Sequence, residues 1–461
     1  MREPSRLDPL TLEEGDLAFA TDLYQLTMAA VYHRRAPERR GSFELFVRSL
    51  PRDRNFLVFA GLEQALAALR QLAFGDEQIA YLRSLQPFQG VTDSFFDALC
   101  AFRFRGNVTA MPEGTIFFPE EPVLRVTGSL LEAQIVETLL LSTVNFQTMV
   151  ASKAARVRLA AEGIGLAEFG GRRAHGPQAA TWVARAAYLA GFDSTSNVLA
   201  GQRLGIPVTG TMAHSFILAF ESESEAFRNY VETFPQHTTF LVDTYDSLDG
   251  VRHALELGVP FAAVRLDSGD LAALSRAVRE LLDEAGRRDV KVFASGDLNE
   301  RKIARLRAER VPIDAFGVGT QLATSADAPY VGGIYKLVDV EVNGEVVPRQ
   351  KLSAGKRTWP GKKQVYRLTV DGRMAGDRIT LADDEPAGGE EPLLEPVMVE
   401  GRLLVHPTLE TARERCRTQL DALPEPLRRL ESAIHPYPVE RDPGLERAAA
   451  EIGTVVPTRV G

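Results

Sequence analysis

The chain has 461 residues, enough for about three domains, and its 45% hydrophobic and 25% charged residues are ordinary for a globular protein. The net charge of −9 argues against a nucleic-acid-binding protein, whose surface is usually basic, and no apolar run approaches the roughly 20 residues of a membrane span. Cys100 and Cys416 are far apart and form no CxxC pair, so we expect neither a zinc site nor a disulfide scaffold, and we expect a cytoplasmic protein.

The N-terminal part of the chain, residues 1–130, is interpreted as an α+β domain. Its first 16 residues lack the apolar segment of a signal peptide. An amphipathic helix is expected to begin after Thr21 or Asp22, and a strand follows it. Between residues 102 and 130, short alternating apolar segments with turn residues predict several strands.

The middle of the chain, residues 131–340, alternates short apolar runs with helical stretches. A long helix is predicted over residues 131–161. The runs that follow it are "GLAEFGGRR", "PVTGTMAHS", "FLVDTYDS", "FAAVRLDSGD", "VKVFASGD" and "DAFGVGTQ". This alternation predicts a parallel α/β arrangement, either a barrel or a doubly wound sheet, without a GxGxxG or GxxxxGK[ST] loop. Polar residues end each run, and in a barrel that end of the strands builds the active site.

The C-terminal segment, residues 341–461, is expected to pack on the N-terminal domain. The pair Asn343-Gly344 predicts a hairpin turn. A basic loop follows it, with Lys351, Lys356 and Arg357 among its residues, and a helix is predicted from residue 408 to about residue 434.

The first three runs end in candidate site residues. Arg172 follows two glycines, so it is either a solvated surface residue or an anion contact. His214 lies between Thr211 and Ser215 among small residues; a lone histidine is more often structural, but small neighbours leave room for a ligand. Asp243 ends the third run, where it either caps the next helix or orients His214.

The later runs favour a phosphorylated, hydroxyl-bearing substrate. Arg265 and Asp267 are two residues apart and share a face of a strand, so they either pair or divide a substrate between them. Asp270 is expected to cap a helix. The last two runs end in glycine-rich turns, whose backbone N–H groups suit phosphate. On these residues alone, an aldolase or an isomerase fits as well as a transferase.

Several motifs occur together and in order from about Thr21 to Ser353. They are "ATDLYQLTM", "FELFVRSLP", "EFGGRRAHGP", "STSNVLAG", "GTMAHSF", "LVDTYD", "VRLDSGDL", "GVGT", "GGIYKLV" and "RQKLS". In this combination the chain resembles the nicotinate phosphoribosyltransferase family. The resemblance implies an irregular α/β barrel of the type II phosphoribosyltransferase kind, an N-terminal α+β sandwich-like domain and a C-terminal extension. It also implies a homodimer with shared active sites, the substrates nicotinate and 5-phosphoribosyl 1-diphosphate, Mg²⁺, and ATP as co-substrate.

The resemblance also implies roles for individual residues. His214 matches a histidine that ATP phosphorylates, and Asp243 matches its carboxylate partner. The substrate-binding positions it implies are Tyr24 (from the partner subunit), Phe169, Arg172, Thr211, Ser215, Arg265, Asp267, Gly296, Asp297, Gly319, Thr320 and Lys351. The resemblance leaves the residues that hold Mg²⁺ unassigned.

Three other functions are alternatives to this interpretation. A nicotinamide-specific relative would carry an aspartate where this chain has Ser196, so nicotinate is preferred. A sugar-phosphate lyase would need a Schiff-base lysine or metal ligands, and no run ends in lysine. A non-catalytic regulator would not need the intact set of His214, Asp243 and Arg265.

Overall fold

The computed structural model describes residues 13–353, 355–404 and 408–455, so the first twelve residues lie outside the description. Its strands are β1 (Arg40–Val47), β2 (Leu57–Val58), β3 (Asn107–Ala110), β4 (Ile116–Phe117), β5 (Pro122–Ser129), β6 (Gly165–Glu168), β7 (Ser194–Thr195), β8 (Thr239–Leu241), β9 (Ala263–Leu266), β10 (Lys291–Ala294), β11 (Ala315–Val318), β12 (Gly333–Val342), β13 (Glu345–Pro348), β14 (Lys363–Val370), β15 (Arg373–Leu381), β16 (Glu390–Pro392), β17 (Glu395–Val399), β18 (Arg402–Leu403) and β19 (Val439–Arg441). Its helices are α1 (Leu23–Arg35), α2 (Leu62–Gln71), α3 (Asp76–Ser84), α4 (Asp93–Cys100), α5 (Leu130–Ile135), α6 (Glu137–Ala161), α7 (Pro177–Leu189), α8 (Val198–Leu204), α9 (His214–Ile217), α10 (Glu223–Thr233), α11 (Ser247–Glu256), α12 (Leu271–Glu284), α13 (Glu300–Ala308), α14 (Thr320–Ala323), α15 (Leu409–Ala422), α16 (Glu425–Arg428) and α17 (Pro443–Val455). None of these helices is long and apolar enough to cross a bilayer.

The chain divides into two compact units. Unit 1 contains the residues up to Thr148, then Tyr330–Leu427, and those from Ala433 onward. Unit 2 contains Met149–Pro329 and Arg428–Ser432. The sequence predicted changes of domain at residues 130 and 340, and the units change nearby, after Thr148 and before Tyr330.

Unit 1 is built on a mainly antiparallel sheet of seven strands in the order β13-β12-β1-β5-β3-β17-β18. β1 is buried along nearly its whole length and pairs antiparallel with β5 on one side and β12 on the other. The predicted hairpin joins β12 to β13, with both Asn343 and Gly344 at positive φ. Strands from the start and the end of the chain therefore share one sheet.

Two helix predictions need correction. The helix expected over residues 131–161 is two helices, α5 and α6, separated at Val136. The helix expected from residue 408 to about residue 434 consists of α15 and the short α16, which ends at Arg428. Pro424 lies between the two, and proline cannot continue a helix because it lacks the N–H that the backbone ladder needs.

Glu113 supplies an N-terminal cap for α2 from a distant part of unit 1. Its carboxylate is fully buried and accepts the backbone N–H groups of Gly61 at 2.5 Å, Leu62 at 3.2 Å and Glu63 at 3.3 Å. These groups have no partner within the helix, so a remote carboxylate that accepts them stabilises the helix start.

Unit 2 is a half-barrel of six parallel strands in the order β7-β6-β11-β10-β9-β8. Each strand is short and mostly buried, and α12 packs against β9 and β10. Asp270 caps α12 as predicted, because its side chain accepts the N–H groups of Ala272 and Ala273. The predicted α/β class with a barrel-like sheet is thus confirmed.

The second apolar run, "PVTGTMAHS", is not a strand as expected. Only Val208 forms an isolated bridge, to Thr195. β7 contains only two residues, so it offers little length for pairing. The rest of the run is an irregular segment that leads to α9, which begins at His214.

Candidate active site

Residues from all six strand ends of unit 2 gather at one edge of the half-barrel. Parallel strands bring their carboxyl ends to the same edge of a sheet, where barrel enzymes carry their active sites. In sheet order the residues at or just beyond the strand ends are Ser196 (β7), Phe169 (β6), Gly319 (β11), Ser295 (β10), Asp267 (β9) and Asp243 (β8). Most of them line two adjoining cavities, of about 500 Å³ and about 230 Å³, which share Phe169, Arg172, Arg265 and Asp267.

The larger cavity is lined by one aromatic side chain and by several polar side chains. Phe169, Arg172, Ser196, Thr211 and His214 are among its lining residues. Its volume is within the usual range for a small-molecule site.

Gly317 leaves the space in which the ring of Phe169 packs. A Cβ atom on Gly317 would lie 2.7 Å from that ring, so β11 needs glycine at this position. The Cζ atom of Arg265 lies 5.4 Å from the centroid of the Phe169 ring, within the range of a cation–π contact. One side of the cavity therefore presents an aromatic ring next to a guanidinium group.

Arg265 is held by three side chains. It donates hydrogen bonds to Ser295 Oγ at 2.8 Å, to Thr211 Oγ1 at 2.8 Å and to Asp267 Oδ1 at 2.7 Å. Ser295 in turn donates to Asp267 Oδ1 at 2.5 Å. The predicted pairing of Arg265 with Asp267 along one strand face is therefore present, and both residues still line the two cavities.

Asp267 is ionised by its neighbours. Burial favours the neutral acid, but the hydrogen bond from Ser295 and the charge of Arg265 outweigh burial and lower the pKa of Asp267 below its ordinary value. The adjacent turn is tightly built. A Cβ on Gly296, at φ +91°, would lie 1.9 Å from the Asp267 carbonyl oxygen, and Asp297 also has a positive φ of 47°. Only glycine fits the first of these positions.

His214 faces two carboxylates without bonding to either. Its Nε2 atom lies 3.9 Å from Asp243 Oδ1 and 3.8 Å from Asp267 Oδ2. Its Nδ1 atom lies 3.1 Å from Thr244 Oγ1, which is the hydrogen bond that orients the ring. The expected orienting bond from Asp243 is thus replaced by one from the next residue.

Asp243 instead holds the loop that follows β9. Its Oδ2 atom accepts hydrogen bonds from the backbone N–H of Asp267 and from the hydroxyl of Ser268, both at 2.8 Å. Its Oδ1 atom is buried and has no hydrogen-bond partner. It does not cap the following helix, since Asp246 does so. Asp243 therefore presents one free oxygen toward His214.

The smaller cavity is rich in arginine. Arg172, Arg173 and Arg265 line it together with Asp297 and the backbone of Gly319 and Thr320. Three guanidinium groups and a glycine-rich turn suit an oxyanion such as a phosphate, because guanidinium donates two parallel hydrogen bonds to it.

Four of the predicted residues do not line these cavities, and Asp243, described above, is one of them. Ser215 is exposed on α9. Tyr24 and Lys351 belong to unit 1. The side chain of Tyr24 is about half exposed on the first turn of α1. Lys351 is exposed, and its backbone N–H donates to Thr358 Oγ1 at 2.9 Å.

Sequence analysis missed Thr244, Ser295 and Gly317 as site residues. Ser295 and Thr244 follow β10 and β8, so the strand-end rule that selected Asp267 would have selected them. Gly317 lies inside β11, and no local pattern signals that an aromatic ring packs over it.

No preformed metal cage exists among the residues that the structure describes, since no three His, Cys, Asp or Glu side chains are grouped to hold an ion. A magnesium ion is commonly held by only one or two carboxylates together with substrate phosphates. The free Oδ1 atom of Asp243 and the ionised Asp267 fit that second arrangement.

Three family matches cover most of the chain. Residues 19–145 match the nicotinate phosphoribosyltransferase N-terminal domain, residues 150–328 match the quinolinate phosphoribosyl transferase C-terminal domain, and residues 389–447 match the nicotinate phosphoribosyltransferase C-terminal domain. The half-barrel and the strand-end site therefore define a phosphoribosyltransferase of the type II fold.

Relatives that match along most of the chain identify one family within this class. A nicotinate phosphoribosyltransferase of Mycobacterium tuberculosis is 46% identical over 430 residues, which cover 92% of this chain and 91% of that protein. The crystal structure of human nicotinic acid phosphoribosyltransferase superimposes with a TM-score of 0.83 at 31% sequence identity. The match covers 94% of this chain and 100% of the human chain. A nicotinate-nucleotide pyrophosphorylase from Pyrococcus furiosus has a TM-score of 0.73 at 28% identity, with coverage of 89% and 97%. The chain belongs to the nicotinate phosphoribosyltransferase family.

Proposed function

We propose that the protein joins nicotinate to 5-phosphoribosyl 1-diphosphate, giving nicotinate mononucleotide and diphosphate in NAD biosynthesis. The observation that carries this proposal is the pair of adjoining cavities at the strand ends of unit 2. One combines an aromatic ring with arginines, and the other combines arginines, carboxylates and a glycine-rich turn. An aromatic acid and a phosphorylated sugar are the ligand classes that these two linings suit.

The substrates are assigned to the cavities by their chemistry. The nicotinate ring stacks on Phe169, and its carboxylate binds Arg265 or Arg172. The ribose hydroxyls donate to Asp267 and to the turn at Gly296–Asp297, as in the family resemblance. The 5-phosphate binds the backbone of Gly319 and Thr320. Lys351 is assigned to the diphosphate, and Tyr24 of a partner subunit covers the pyridine ring.

The residues support a dissociative transfer of the ribosyl group. Departure of diphosphate leaves positive charge on the ribose ring, and the ionised Asp267 stabilises that charge because it is fixed in place before the reaction. Arg265 and Phe169 hold the pyridine nitrogen at the reacting carbon. Asp243 and Asp267 would hold Mg²⁺ together with diphosphate oxygens, and the ion would supply neutralisation of the leaving group's charge.

ATP is proposed to act through phosphorylation of His214. The Nε2 atom faces two carboxylates and Nδ1 is bonded to Thr244, so the ring is held while one nitrogen lies at the cavity. A phosphorylated imidazole adds a dianion beside the diphosphate end of the site. This added negative charge orders nearby basic residues. Transfer of the γ-phosphoryl group to His214 releases ADP and tightens substrate binding, and water later hydrolyses the phosphohistidine to release phosphate. No covalent ribosyl intermediate is required.

The test of the proposed function is direct. Purified protein is mixed with nicotinate, 5-phosphoribosyl 1-diphosphate and Mg²⁺, with and without ATP, and products are separated by chromatography. We expect nicotinate mononucleotide and diphosphate, with stimulation by ATP. Absence of nicotinate mononucleotide under both conditions contradicts the assignment, and a product formed only from nicotinamide supports the alternative substrate.

Ser196→Asp should reverse part of the substrate preference. Ser196 lines the larger cavity, and a carboxylate there repels nicotinate while it accepts a hydrogen bond from an amide NH₂ group. We expect the ratio of kcat/KM for nicotinate to that for nicotinamide to fall about 10- to 100-fold, as for one misplaced charge in a binding site. Ser196→Asn is the matched neutral control and should change this ratio far less. Equal ratios in both variants would contradict the role of Ser196.

Complementation in mixed dimers tests the proposed homodimer. Tyr24 contributes to the site of its partner in this proposal, whereas His214 contributes to its own. Tyr24→Ala and His214→Ala proteins are each expected to lose ATP-stimulated synthesis. After subunit exchange, about half of the dimers are hybrids with one intact site, so about a quarter of wild-type activity should return. A fully active monomer by light scattering, or no recovery in dimers proven to have exchanged, contradicts the shared site.

The proposal also places the protein in the cytoplasm. Both Cys100 and Cys416 are free thiols, which suits a reducing compartment.

A further inference from the structure

Glu168 is a fully buried carboxyl group at the end of β6. One of its oxygens accepts the backbone N–H of Gly170, and the other accepts the hydroxyl of Thr195 at 2.6 Å. Its backbone carbonyl accepts the N–H of Ser196 at 2.9 Å. This one residue therefore bonds to the loop that follows β6 and to the loop that follows β7.

Both loops contribute to the wall of the larger cavity. The loop after β6 carries Phe169 and Arg172, and the loop after β7 carries Ser196. Glu168 itself does not line the cavity. The hydroxyl of Thr195 also accepts the N–H of Asn197 at 3.0 Å, so the hydrogen-bonded chain continues past Ser196.

The far side of the β6 loop is fixed by close packing. A Cβ atom on Gly170 would lie 2.5 Å from the Cβ of Ala323 and 2.9 Å from the carbonyl oxygen of Gly319. The backbone N–H of Phe169 donates to the carbonyl of Val318 at 2.9 Å. With these contacts in place, the carboxylate of Glu168 adds a side-chain link between the β6 loop and β7 to the backbone pairing of the two strands.

Burial raises the pKa of Glu168, while its hydrogen bonds from Thr195 and Gly170 oppose that rise. A buried carboxyl group is costly unless it is hydrogen-bonded, so both of its bonds matter for the local geometry.

We propose that Glu168 is a positioning residue that sets the spacing between the wall bearing Phe169 and Arg172 and the wall bearing Ser196, and thereby sets the affinity for the pyridine carboxylate. This inference rests on the proposed use of nicotinate. Glu168 lines neither cavity and acts through the two loops. The β7 loop borders only the larger cavity, whereas the β6 loop borders both, so the effect is larger for nicotinate than for 5-phosphoribosyl 1-diphosphate.

The test compares Glu168→Ala with Glu168→Gln. The alanine removes both side-chain bonds, and a loop displaced by about 1 Å costs on the order of 10- to 100-fold. We expect that rise in the KM for nicotinate, with a clearly smaller rise in the KM for 5-phosphoribosyl 1-diphosphate because only the β6 loop borders both cavities. The glutamine can accept from Gly170 and donate to Thr195, so it should restore the KM for nicotinate to near the wild-type value.

Two further variants make the outcome decisive. Glu113→Ala is the matched control, because it removes a buried carboxylate that accepts backbone N–H groups in unit 1, and it should lower Tm without a selective rise in the KM for nicotinate. Thr195→Val removes only the hydroxyl group. It should show the same selective rise in the KM for nicotinate, so it replaces Glu168→Ala if that variant does not fold. An unchanged KM for nicotinate, equal rises for both substrates, or no rescue by Glu168→Gln overturns the inference. A wild-type protein that is inactive with nicotinate overturns the proposed function instead.

Discussion

His214→Ala should abolish ATP hydrolysis and ATP stimulation together, while a slower ATP-independent synthesis persists. The physical reason is that Nε2 lies at the cavity beside two carboxylates, and removal of a nucleophile costs on the order of 10³-fold or more in the step it performs. In the proposed mechanism the ribosyl transfer depends on Arg265, Phe169 and Asp267, which the substitution leaves in place. The measurement is the rate of ADP release, together with nicotinate mononucleotide formed with and without ATP.

Covalent labelling makes the test specific for a phosphohistidine. Acid-labile, base-stable label from γ-³²P-ATP should appear on the wild type and be absent from His214→Ala. The matched control is His253→Ala, because His253 is exposed to the same extent as His214, at 40% of its side chain, and is also paired with a carboxylate, that of Glu223. His253→Ala should keep the label and the ATP stimulation. Label that persists in His214→Ala would show that another residue carries the phosphoryl group.

Asp243→Asn should impair the same step less completely. Asp243 does not bond to His214; it holds the backbone of Asp267 and the hydroxyl of Ser268 and leaves one oxygen free near Nε2. An asparagine keeps the shape but removes the negative charge. We therefore expect partial labelling, and Thr244→Val should also reduce labelling because it removes the hydrogen bond that orients the ring.

Arg265→Ala should reduce kcat/KM for nicotinate by about 2–4 kcal/mol, or roughly 30- to 1,000-fold, as expected when one partner of a desolvated charge pair is lost. Arg265 donates to Thr211, Ser295 and Asp267, so its loss removes one of the two proposed anchors of the nicotinate carboxylate and also leaves Asp267 without its cation. The measurement is steady-state kinetics with both substrates varied.

Two comparison variants separate charge from geometry at this position. Arg265→Lys keeps the charge but loses the planar, multiply bonded fork, so an intermediate loss is expected. Arg252→Ala removes an exposed arginine that pairs with Asp249 three residues away on α11, and such surface pairs contribute little. Arg252→Ala should therefore leave kcat/KM within about twofold of wild type. A similar loss in Arg252→Ala and Arg265→Ala would mean that the effect is not local to the site.

The strand-end residues of unit 2 could be predicted because their signal is local. A short apolar run followed by a polar residue and a helix marks a parallel strand, and parallel strands align their carboxyl ends, so the placement of Asp243 and Asp267 follows from the sequence. The cap at Asp270 is equally local. The same reasoning placed a strand before His214, where only Val208 pairs, because an apolar run carries no information about the length of its partner strand.

The remaining features depend on contacts between distant parts of the chain. His214 bonds to Thr244 through Nδ1, whereas Asp243 lies 3.9 Å from Nε2, so the partner depends on how the ring is oriented, and no local pattern encodes that orientation. The need for glycine at position 317 depends on the ring of Phe169, which comes from a different strand. Pairing of β12 with β1 joins residues almost 300 positions apart, and no local pattern encodes such a register.

That pairing has a consequence for biosynthesis. While the ribosome is still adding unit 2, β1 is paired with β5 at most, and its other edge has no partner until Gly333–Val342 has been made. An apolar strand with an open edge is a template for pairing with another chain. The nascent N-terminal region is therefore exposed to aggregation for the time needed to synthesise about 200 residues, at 5–20 residues per second about 10–40 s. A premature stop after Pro329 would leave that edge open permanently, so we expect such a fragment to depend on chaperones or to be degraded.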